Sequence, residues 1–286
     1  MYCFDLASHA STLGGRFLSD WAEEKPQIFP NLGRGAGAAG CTIASAMAEV
    51  KTVILCGGKG TRAYPHTTEV PKPLLEVAGR PVLRHVMEIY AGQGFTSFVL
   101  SAGFKSEMIR SYAETAPASW DIEVVDTGED TNTGGRVIGV ADCVGETFFA
   151  TYSDGLGDVD LGALLAFHRG HAGAATLTTV PLPSQYGTIE RSADGRVERF
   201  REKPVLADHW INGGFFVFDR RAFDLWQGED LERDVLPALG AAGELYAYRH
   251  AGFWKSMDTY KDALDLSELA KGGKGPWARS VTRASS

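Results

Sequence analysis

The sequence predicts a doubly wound α/β fold with a mostly parallel sheet and an inserted antiparallel hairpin. From Lys51 onward, short apolar runs of strand length alternate with segments of helical period, a pattern typical of parallel strands joined by crossover helices. One segment alternates in strand fashion around Asp194-Gly195, and this dipeptide favours a type I′ turn between antiparallel strands. The 286 residues suffice for one large α/β domain or two small ones.

Three regions can be distinguished along the chain. Residues 1–49 show weak periodicity and contain a run rich in glycine and alanine, so we interpret them as an extension or linker outside the fold. An equally good explanation is a start codon assigned too far upstream, with Met47 as the true first residue. Residues 50–270 carry the regular pattern and form the predicted domain, and residues 271–286 are expected to be a loose tail.

Within the domain, apolar runs predict the strands, and apolar residues spaced three and four apart predict the helices. The predicted strands are 51–58, 97–103, 122–128, 147–155, 174–182, 210–219 and 245–254. The predicted helices are 82–90, 106–114, 136–144, 161–171, a Leu- and Ala-rich segment between the last two strands, and 259–270. The hairpin falls within residues 186–204.

The composition limits the classes of partner. The chain carries 28 Lys and Arg residues against 36 Asp and Glu residues, a formal net charge of −8. This balance argues against nucleic acid or an anionic membrane surface as the main partner. No apolar run approaches the roughly 18–20 residues needed to span a bilayer. The four cysteines lack C-x-x-C spacing and neighbouring histidines, so we expect neither a zinc site nor a disulfide framework. Cysteines without disulfides are typical of a reducing compartment, and we therefore expect a cytoplasmic location.

A glycine-rich turn follows the first predicted strand, and in an open parallel sheet ligands lie at this end of the strands. The segment Leu55–Arg62 reads LCGGKGTR, and its glycines would let backbone N–H groups approach a phosphate or a base. Its spacing matches neither a P-loop nor the dinucleotide fingerprint, and a plain strand-to-helix turn explains it equally well. Next, Pro71-Lys72-Pro73 holds one cation on a rigid backbone.

Two aspartates also follow apolar strands. Asp154 ends the fourth predicted strand, and Asp258 lies after the last strand, just ahead of a helix. Parallel strands bring their carboxyl ends to one edge of the sheet, so we expect the two side chains to converge there. A hard cation such as Mg²⁺ binds through one or two carboxylates together with substrate phosphates, so each aspartate is a candidate ligand. The alternative for each is a helix cap or turn residue.

Further polar segments lie elsewhere. Glu202 and Lys203 follow the hairpin, and Asn212 and Gly213 open an aromatic strand; together they would suit hydroxyl groups and a phosphate, or form a solvated surface. The segment 131–136, TNTGGR, is similar to an anion-binding helix start, although a simple cap explains it equally well.

Taken together and in this order, these segments resemble the sugar-1-phosphate nucleotidyltransferases. That family reads approximately L-x-G-G-x-G-T-R, P-K-P-L, a strand ending in D-G, E-K-P, and a later Asp before a helix. The matching segments here are LCGGKGTR, PKPLLEVAGRPVL, YSDG, REKP and SMDT, over residues 51 to about 270. Within the family, VDTG with TGGR, INGGFFVF and GFWKSMDT resemble the bacterial glucose-1-phosphate cytidylyltransferases.

The resemblance implies a Rossmann-like sheet of the nucleotide-diphospho-sugar transferase type and a role for each matching residue. Arg62 and Lys72 would be catalytic, and Asp154 and Asp258 would hold Mg²⁺. The implied nucleotide-binding residues are Leu55, Gly57, Gly58, Gly60, Thr61, Thr131, Arg136 and Ser153. The implied sugar-phosphate-binding residues are Glu202, Lys203, Asn212 and Gly213.

The reaction so implied joins an NTP to a sugar 1-phosphate, giving an NDP-sugar and pyrophosphate. We expect CTP and α-D-glucose 1-phosphate as substrates and a homo-oligomer as the assembly. The alternatives are a uridylyl-, thymidylyl- or guanylyltransferase on another sugar phosphate, and a catalytically silent regulatory protein that binds nucleotide sugars. A dinucleotide-dependent oxidoreductase is disfavoured because the glycine spacing fails.

Overall fold

The computed structural model describes residues 50–63, 65–184, 186–271, 273 and 275–278. The predicted extension, residues 1–49, lies outside these ranges. The strands are β1 Thr52–Leu55, β2 Glu76–Val77, β3 Arg80–Pro81, β4 Ser97–Ala102, β5 Asp121–Asp126, β6 Thr147–Tyr152, β7 Gly155–Gly157, β8 Ala175–Pro183, β9 Thr188–Arg191, β10 Val197–Arg201, β11 Val205–Asp219, β12 Leu245–Arg249 and β13 Trp254–Ser256. The α-helices are α1 Val82–Ala91, α2 Ser106–Ala113, α3 Thr133–Ile138, α4 Leu161–Arg169, α5 Leu236–Ala241 and α6 Tyr260–Leu269, and a single π-helical turn, Leu231–Val235, precedes α5.

A seven-stranded sheet forms the centre of the domain, in the order β12-β8-β11-β6-β1-β4-β5. Strands β6, β1, β4 and β5 pair in parallel, as do β8 and β12, whereas β11 is antiparallel to both of its neighbours. The strands β9 and β10 form a separate antiparallel ribbon. The predicted fold class, a mostly parallel sheet with an inserted hairpin, is therefore confirmed.

Successive residues of the central strands are buried on opposite faces of the sheet. Ile54 and Phe149 belong to a core cluster that includes residues of α1 and α6, whereas Val53 and Phe148 belong to a second cluster with residues of α3 and α5. Side chains alternate across a strand with a period of two, so strands covered on both faces must be apolar throughout. This explains why the sequence shows continuous apolar runs there.

Two local predictions differ from the structure. The predicted strand 245–254 is two strands, because β12 joins the central sheet while β13 pairs antiparallel with β7. The hairpin does not close with a type I′ turn, which would require positive φ at both Asp194 and Gly195. Only Gly195 of this pair has positive φ (+93°), and its N–H bonds to the carbonyl of Ser192 at 3.0 Å.

One residue of the predicted tail, Trp277, packs on the core. Trp277 is 2% exposed, and its indole ring lies edge-on to the imidazole of His85, with 5.4 Å between ring centroids. The phenyl ring of Phe253 also lies beside the Trp277 indole, with 5.9 Å between the ring centroids. This differs from the expectation of a loose tail beginning at residue 271, because Trp277 belongs to the apolar cluster that contains residues of α1. Across the ranges given above, none of the helices is long and apolar enough to span a bilayer.

Candidate active site

A cleft of about 410 Å³ lies beyond the carboxyl end of β6, between the central sheet and the β7–β13 ribbon. Its lining residues are predominantly polar, and they come from distant parts of the sequence: Arg62, Thr133, Tyr152, Asp154, Gly155, Asn212, Gly213, Glu232, Trp254, Ser256 and Asp258. Besides Asn212 and Gly213, four predicted site residues form one charged cluster at this cleft.

The charged cluster consists of Arg62, Lys72, Asp154 and Asp258. The Nζ atom of Lys72 lies 2.5 Å from Oδ2 of Asp154 and 3.6 Å from Oδ1 of Asp258. The same Oδ1 of Asp258 accepts a hydrogen bond from the Arg62 guanidinium at 2.8 Å. Two cations and two carboxylates are thus in direct contact. The four formal charges of the cluster sum to zero.

The convergence of the two aspartates has a different physical reason from the one that the sequence suggested. Asp258 does not end a strand of the central sheet. Asp154 immediately precedes β7, and Asp258 lies two residues beyond β13; these short strands pair antiparallel, with Ser256 opposite Gly155. The N–H of Met257 also bonds to the main-chain carbonyl of Asp154 at 2.9 Å. The ribbon therefore fixes the two carboxylates side by side.

The helix-cap alternative fails for both aspartates. Helix α6 is capped by Thr259, whose side chain and that of Asp262 form a reciprocal capping box. Asp258 instead accepts a hydrogen bond from the Ser256 hydroxyl at 2.8 Å, besides its contact with Arg62. Asp154 is followed by a strand, so it has no helix to cap. By contrast Asp160 does cap α4, because its carboxylate accepts a bond from the N–H of Ala163.

The glycine loop after β1 is shaped by close approach of other side chains. A Cβ atom on Gly57 would lie 1.8 Å from a guanidinium nitrogen of Arg136, so no larger residue fits without displacing that arginine. Gly60 has positive φ (+62°), and a Cβ there would lie 2.7 Å from the Cβ of Lys72. At Gly58 a Cβ would meet nothing within 4 Å, so this position faces open space.

Arg136 lies beneath this loop and is buried, only 3% exposed. Its guanidinium donates hydrogen bonds to the hydroxyl of Thr127 and to four main-chain carbonyls, those of Gly57, Ala102, Gly128 and Glu129, at 2.9–3.2 Å. Burial lowers its pKa below the ordinary value. In this structure Arg136 therefore ties the loop after β1 to the segment after β5, and it does not line the cleft.

The remaining predicted nucleotide residues occupy varied positions. Leu55 ends β1 and is buried, as is Ser153, whereas Thr61 is exposed beside Arg62. The hydroxyl of Thr131 donates to the carbonyl of Thr127 at 2.5 Å, which stabilises the turn before α3. None of these residues contributes to the lining of the cleft.

The predicted sugar-phosphate residues separate into two pairs. Asn212 and Gly213 line the cleft, and the indole N–H of Trp254 donates to the Gly213 carbonyl at 2.7 Å. Glu202 and Lys203 are exposed on the connection between β10 and β11 and do not line it. Lys203 has a positive φ (+44°), which is uncommon for a residue with a side chain and marks a constrained backbone.

The sequence analysis missed a polar network in the cleft. The Tyr152 hydroxyl donates to one carboxylate oxygen of Glu232, and the hydroxyl of Thr133 donates to the other at 2.8 Å. The side-chain amide of Asn212 donates to the Tyr152 oxygen at 3.2 Å. Tyr152 could have been found from its place in the YSDG motif, whereas nothing in the sequence around Glu232 indicates a site.

No group of three or more His, Cys, Asp or Glu side chains within the described ranges could hold a metal ion by itself. The candidate donor set is the pair Asp154 and Asp258, whose carboxylates already converge on one cation, the Lys72 ammonium. Two carboxylates leave most of an octahedral Mg²⁺ shell to water and substrate phosphates, which is the usual arrangement for that ion. The residues present therefore fit Mg²⁺ bound together with a phosphate ligand.

The chain is similar over most of its length to known nucleotidyltransferases. The chain is 38% identical over 253 residues to a probable glucose-1-phosphate cytidylyltransferase of Bacillus subtilis, a match that covers 80% of this chain and 99% of the relative. It is 37% identical to the glucose-1-phosphate cytidylyltransferase of Salmonella typhi, with 80% and 98% covered. Two mannose-1-phosphate guanylyltransferases match more distantly, at 32% and 34% identity, and the chain spans 63% and 66% of their length.

The fold has solved counterparts. The crystal structure of HddC from Yersinia pseudotuberculosis superposes with a TM-score of 0.61 at 22% identity, covering 78% of this chain and all of that one. At this identity the likeness supports the fold alone. The model of the nucleotidyl transferase family matches residues 51–271, which contain the glycine loop, the charged cluster and the cleft. The chain therefore belongs to the nucleotidyl transferase family.

Proposed function

We propose that this protein transfers a cytidylyl group from CTP to α-D-glucose 1-phosphate, giving CDP-glucose and pyrophosphate. The observation that carries the proposal is the charged cluster of Arg62, Lys72, Asp154 and Asp258 at one end of a polar cleft. The choice of CTP and glucose 1-phosphate is supported by the high coverage of two glucose-1-phosphate cytidylyltransferases.

The chemistry is an in-line displacement at phosphorus. A phosphate oxygen of the sugar phosphate attacks the α-phosphorus of the NTP, a new P–O bond forms, and the bond to the β-phosphate oxygen breaks, releasing pyrophosphate. No covalent enzyme intermediate or strong general base is required, because the attacking phosphate is already ionised. Catalysis then consists of positioning and stabilisation of negative charge.

The two cations have distinct roles in this proposal. The Lys72 side chain is only 13% exposed, so its ammonium stays within the site and acts as a point charge near the α-phosphate. Arg62 is 77% exposed and can reorient its planar fork toward the leaving pyrophosphate. Both must exchange their present carboxylate partners for phosphate oxygens when substrate binds.

We propose Mg²⁺ as the cofactor, held by Asp154 and Asp258. When bound, this ion would neutralise charge that accumulates on the phosphates during transfer. The carboxylates are already placed by the β7–β13 ribbon, so metal binding requires the Lys72 ammonium to move from between them rather than a rearrangement of the backbone.

The substrates are assigned to the two sides of the site as the resemblance implies. The exposed face of the loop at Gly58 would meet the nucleotide, and Asn212 and Gly213 would meet the sugar. From the β10–β11 connection, Lys203 would reach the phosphate of the sugar phosphate, and Glu202 would lie near the sugar hydroxyls. A guanylyltransferase is the second candidate, favoured by the two mannose-1-phosphate guanylyltransferases among the relatives. A silent regulatory protein is disfavoured because all four residues of the charged cluster are present.

We also propose that the protein is a homo-oligomer. The β9–β10 ribbon presents Ile189, Val197 and Phe200 on one face, each between 56% and 60% exposed. A two-stranded hairpin is at best marginally stable by itself, so an apolar face on such a ribbon favours a partner surface. Light scattering of the protein as it elutes from a size-exclusion column tests this directly. A monomeric mass at micromolar concentration would contradict the proposal.

The substrates can be identified by one assay of pyrophosphate release. The enzyme with Mg²⁺ is given CTP, UTP, dTTP, GTP or ATP, each with a panel of hexose 1-phosphates. CTP with glucose 1-phosphate should give the highest kcat/KM. A preference of more than about tenfold for another NTP, equivalent to about 1.4 kcal/mol, would replace CTP by that nucleotide.

A further inference from the structure

We infer that Glu232 is a specificity-determining residue that accepts hydrogen bonds from hydroxyl groups of the acceptor sugar. This inference rests on the proposed function and extends it to a residue outside the family motifs. It starts from the arrangement of the cleft, in which Glu232 contributes a negatively charged wall on the side of β6 and β11.

The carboxylate of Glu232 is held in place from two directions. Tyr152, at the end of β6, donates to one oxygen, and Thr133, at the start of α3, donates to the other. Asn212, on β11, supports the Tyr152 hydroxyl in turn. Burial and the neighbouring Glu232 charge raise the pKa of the Tyr152 hydroxyl, so this group stays protonated and remains a donor to the carboxylate. The side chain is thus oriented before any ligand arrives.

The backbone that carries Glu232 is unusual. It belongs to the π-helical turn Leu231–Val235, a rare conformation that is often found at functional sites. The turn is anchored by the Asp230 carboxylate, which accepts bonds from the N–H groups of Glu232 and Arg233 at 3.0 and 2.8 Å. Within this turn Glu232 contacts Tyr152, while Leu231 and Val235 are buried in the core.

The carboxylate also retains capacity for a ligand. An ionised carboxylate has about four acceptor positions, and the described contacts use two of them. Glu232 is an exposed residue in the wall of the cleft, so the other positions are accessible. A group with hydroxyl donors satisfies them, whereas a phosphate would be repelled by the charge.

The cleft therefore has two chemically different ends. At one end, Arg62 and Lys72 supply positive charge beside Asp258 and Asp154. Phosphates and a metal ion would be placed there. At the other wall, the carboxylate oxygens of Glu232 can accept hydrogen bonds from hydroxyl groups. None of residues 55–60 in the glycine loop lines the cleft, which favours the sugar rather than the base as the group that meets Glu232.

The test is Glu232→Gln, which keeps the shape of the side chain but removes its charge, with Glu229→Gln as the matched control. Glu229 is exposed on the same segment and does not line the cleft. Steady-state kinetics are measured for glucose 1-phosphate, for its 2-, 3-, 4- and 6-deoxy analogues, and for CTP. Binding of each sugar phosphate is also measured by calorimetry, so the result does not depend on turnover.

Glu232→Gln should raise the KM and Kd for glucose 1-phosphate about ten- to a hundredfold, the range for loss of a hydrogen bond to a charged group. The increase in KM and Kd should be much smaller with one deoxy analogue, the one that lacks the hydroxyl whose hydrogen bond Glu232 accepts. The KM for CTP and the order of preference among NTPs should stay unchanged, and Glu229→Gln should behave as the wild type.

Two results would overturn the inference. Unchanged sugar-phosphate binding in Glu232→Gln would remove the residue from the acceptor site, and a changed NTP preference would place it at the base instead. Neither result affects the proposed function if the wild type still transfers the nucleotidyl group. Failure of the wild type to release pyrophosphate with any substrate pair would refute the proposed function, and the calorimetric comparison would still decide the role of Glu232.

Discussion

Replacement of Asp154 or Asp258 by Asn gives a quantitative test of the charged cluster. Asn keeps the size of the side chain and removes one negative charge. In the structure both carboxylates contact the same Lys72 ammonium, at 2.5 and 3.6 Å, so each replacement disturbs a shared centre. If both ligate Mg²⁺, either replacement should lower kcat by about 10²–10³, equivalent to about 3–4 kcal/mol of transition-state stabilisation.

The two replacements should also be strongly non-additive. Because the two aspartates would act on one ion, the double variant should be scarcely less active than the weaker of the two single variants. The helix α6 should be unaffected in Asp258→Asn, since Thr259 and Asp262 provide its cap. The melting temperature should therefore change little, which separates a loss of activity from a loss of folding.

The assay is the initial rate of pyrophosphate release from CTP and glucose 1-phosphate, measured over a range of Mg²⁺ or Mn²⁺ concentrations. Excess metal should restore part of the activity of each single variant. Asp224→Asn is the matched control, because Asp224 is exposed and does not line the cleft. Near wild-type turnover in either single variant, with unchanged thermal stability, would refute the metal role of that aspartate.

Three further predictions concern other parts of the chain. Lys203→Ala should raise the KM for the sugar phosphate and leave the KM for the NTP nearly unchanged, the pattern of a lost ground-state contact; equal weakening of both would mean that the substrates are assigned to the wrong sides. Trp277→Ala should lower the free energy of unfolding in urea by about 3–5 kcal/mol, because the indole is 2% exposed; a loss under about 1 kcal/mol would show that residues 275–278 do not stabilise the core. A chain that begins at Met47 should fold and turn over like the full chain, and loss of most activity would show that the preceding residues support the enzyme.

The parts of the fold that could be predicted from sequence are those with a strong local pattern. The first strand of the parallel sheet is apolar on both faces and ends in glycines, so β1 and its loop are readable from residues 51–60 alone. Asp154 could be placed at the end of a strand for the same reason. The convergence of Asp154 and Asp258 was predicted, but through the wrong strands, because the short ribbon of β7 and β13 has no distinctive pattern.

Other features depend on tertiary contacts that no local pattern records. Glu232 reaches Tyr152 only through a π-helical turn and the packing of α3 against it. Trp277 lies in a glycine-rich segment that reads as a tail, yet it fills a gap beside His85. The role of Arg136 beneath Gly57 likewise follows from a close approach between residues far apart in the sequence.

Nucleotidyl transfer in the cleft is tested most directly by measuring pyrophosphate and nucleotide sugar in one reaction. The enzyme is incubated with CTP and Mg²⁺, with and without glucose 1-phosphate, and both products are quantified by chromatography. Pyrophosphate should appear only with the sugar phosphate and in equal amount to CDP-glucose. Release of pyrophosphate without the acceptor, or tight binding of CDP-glucose with no turnover in either direction, would contradict this expectation.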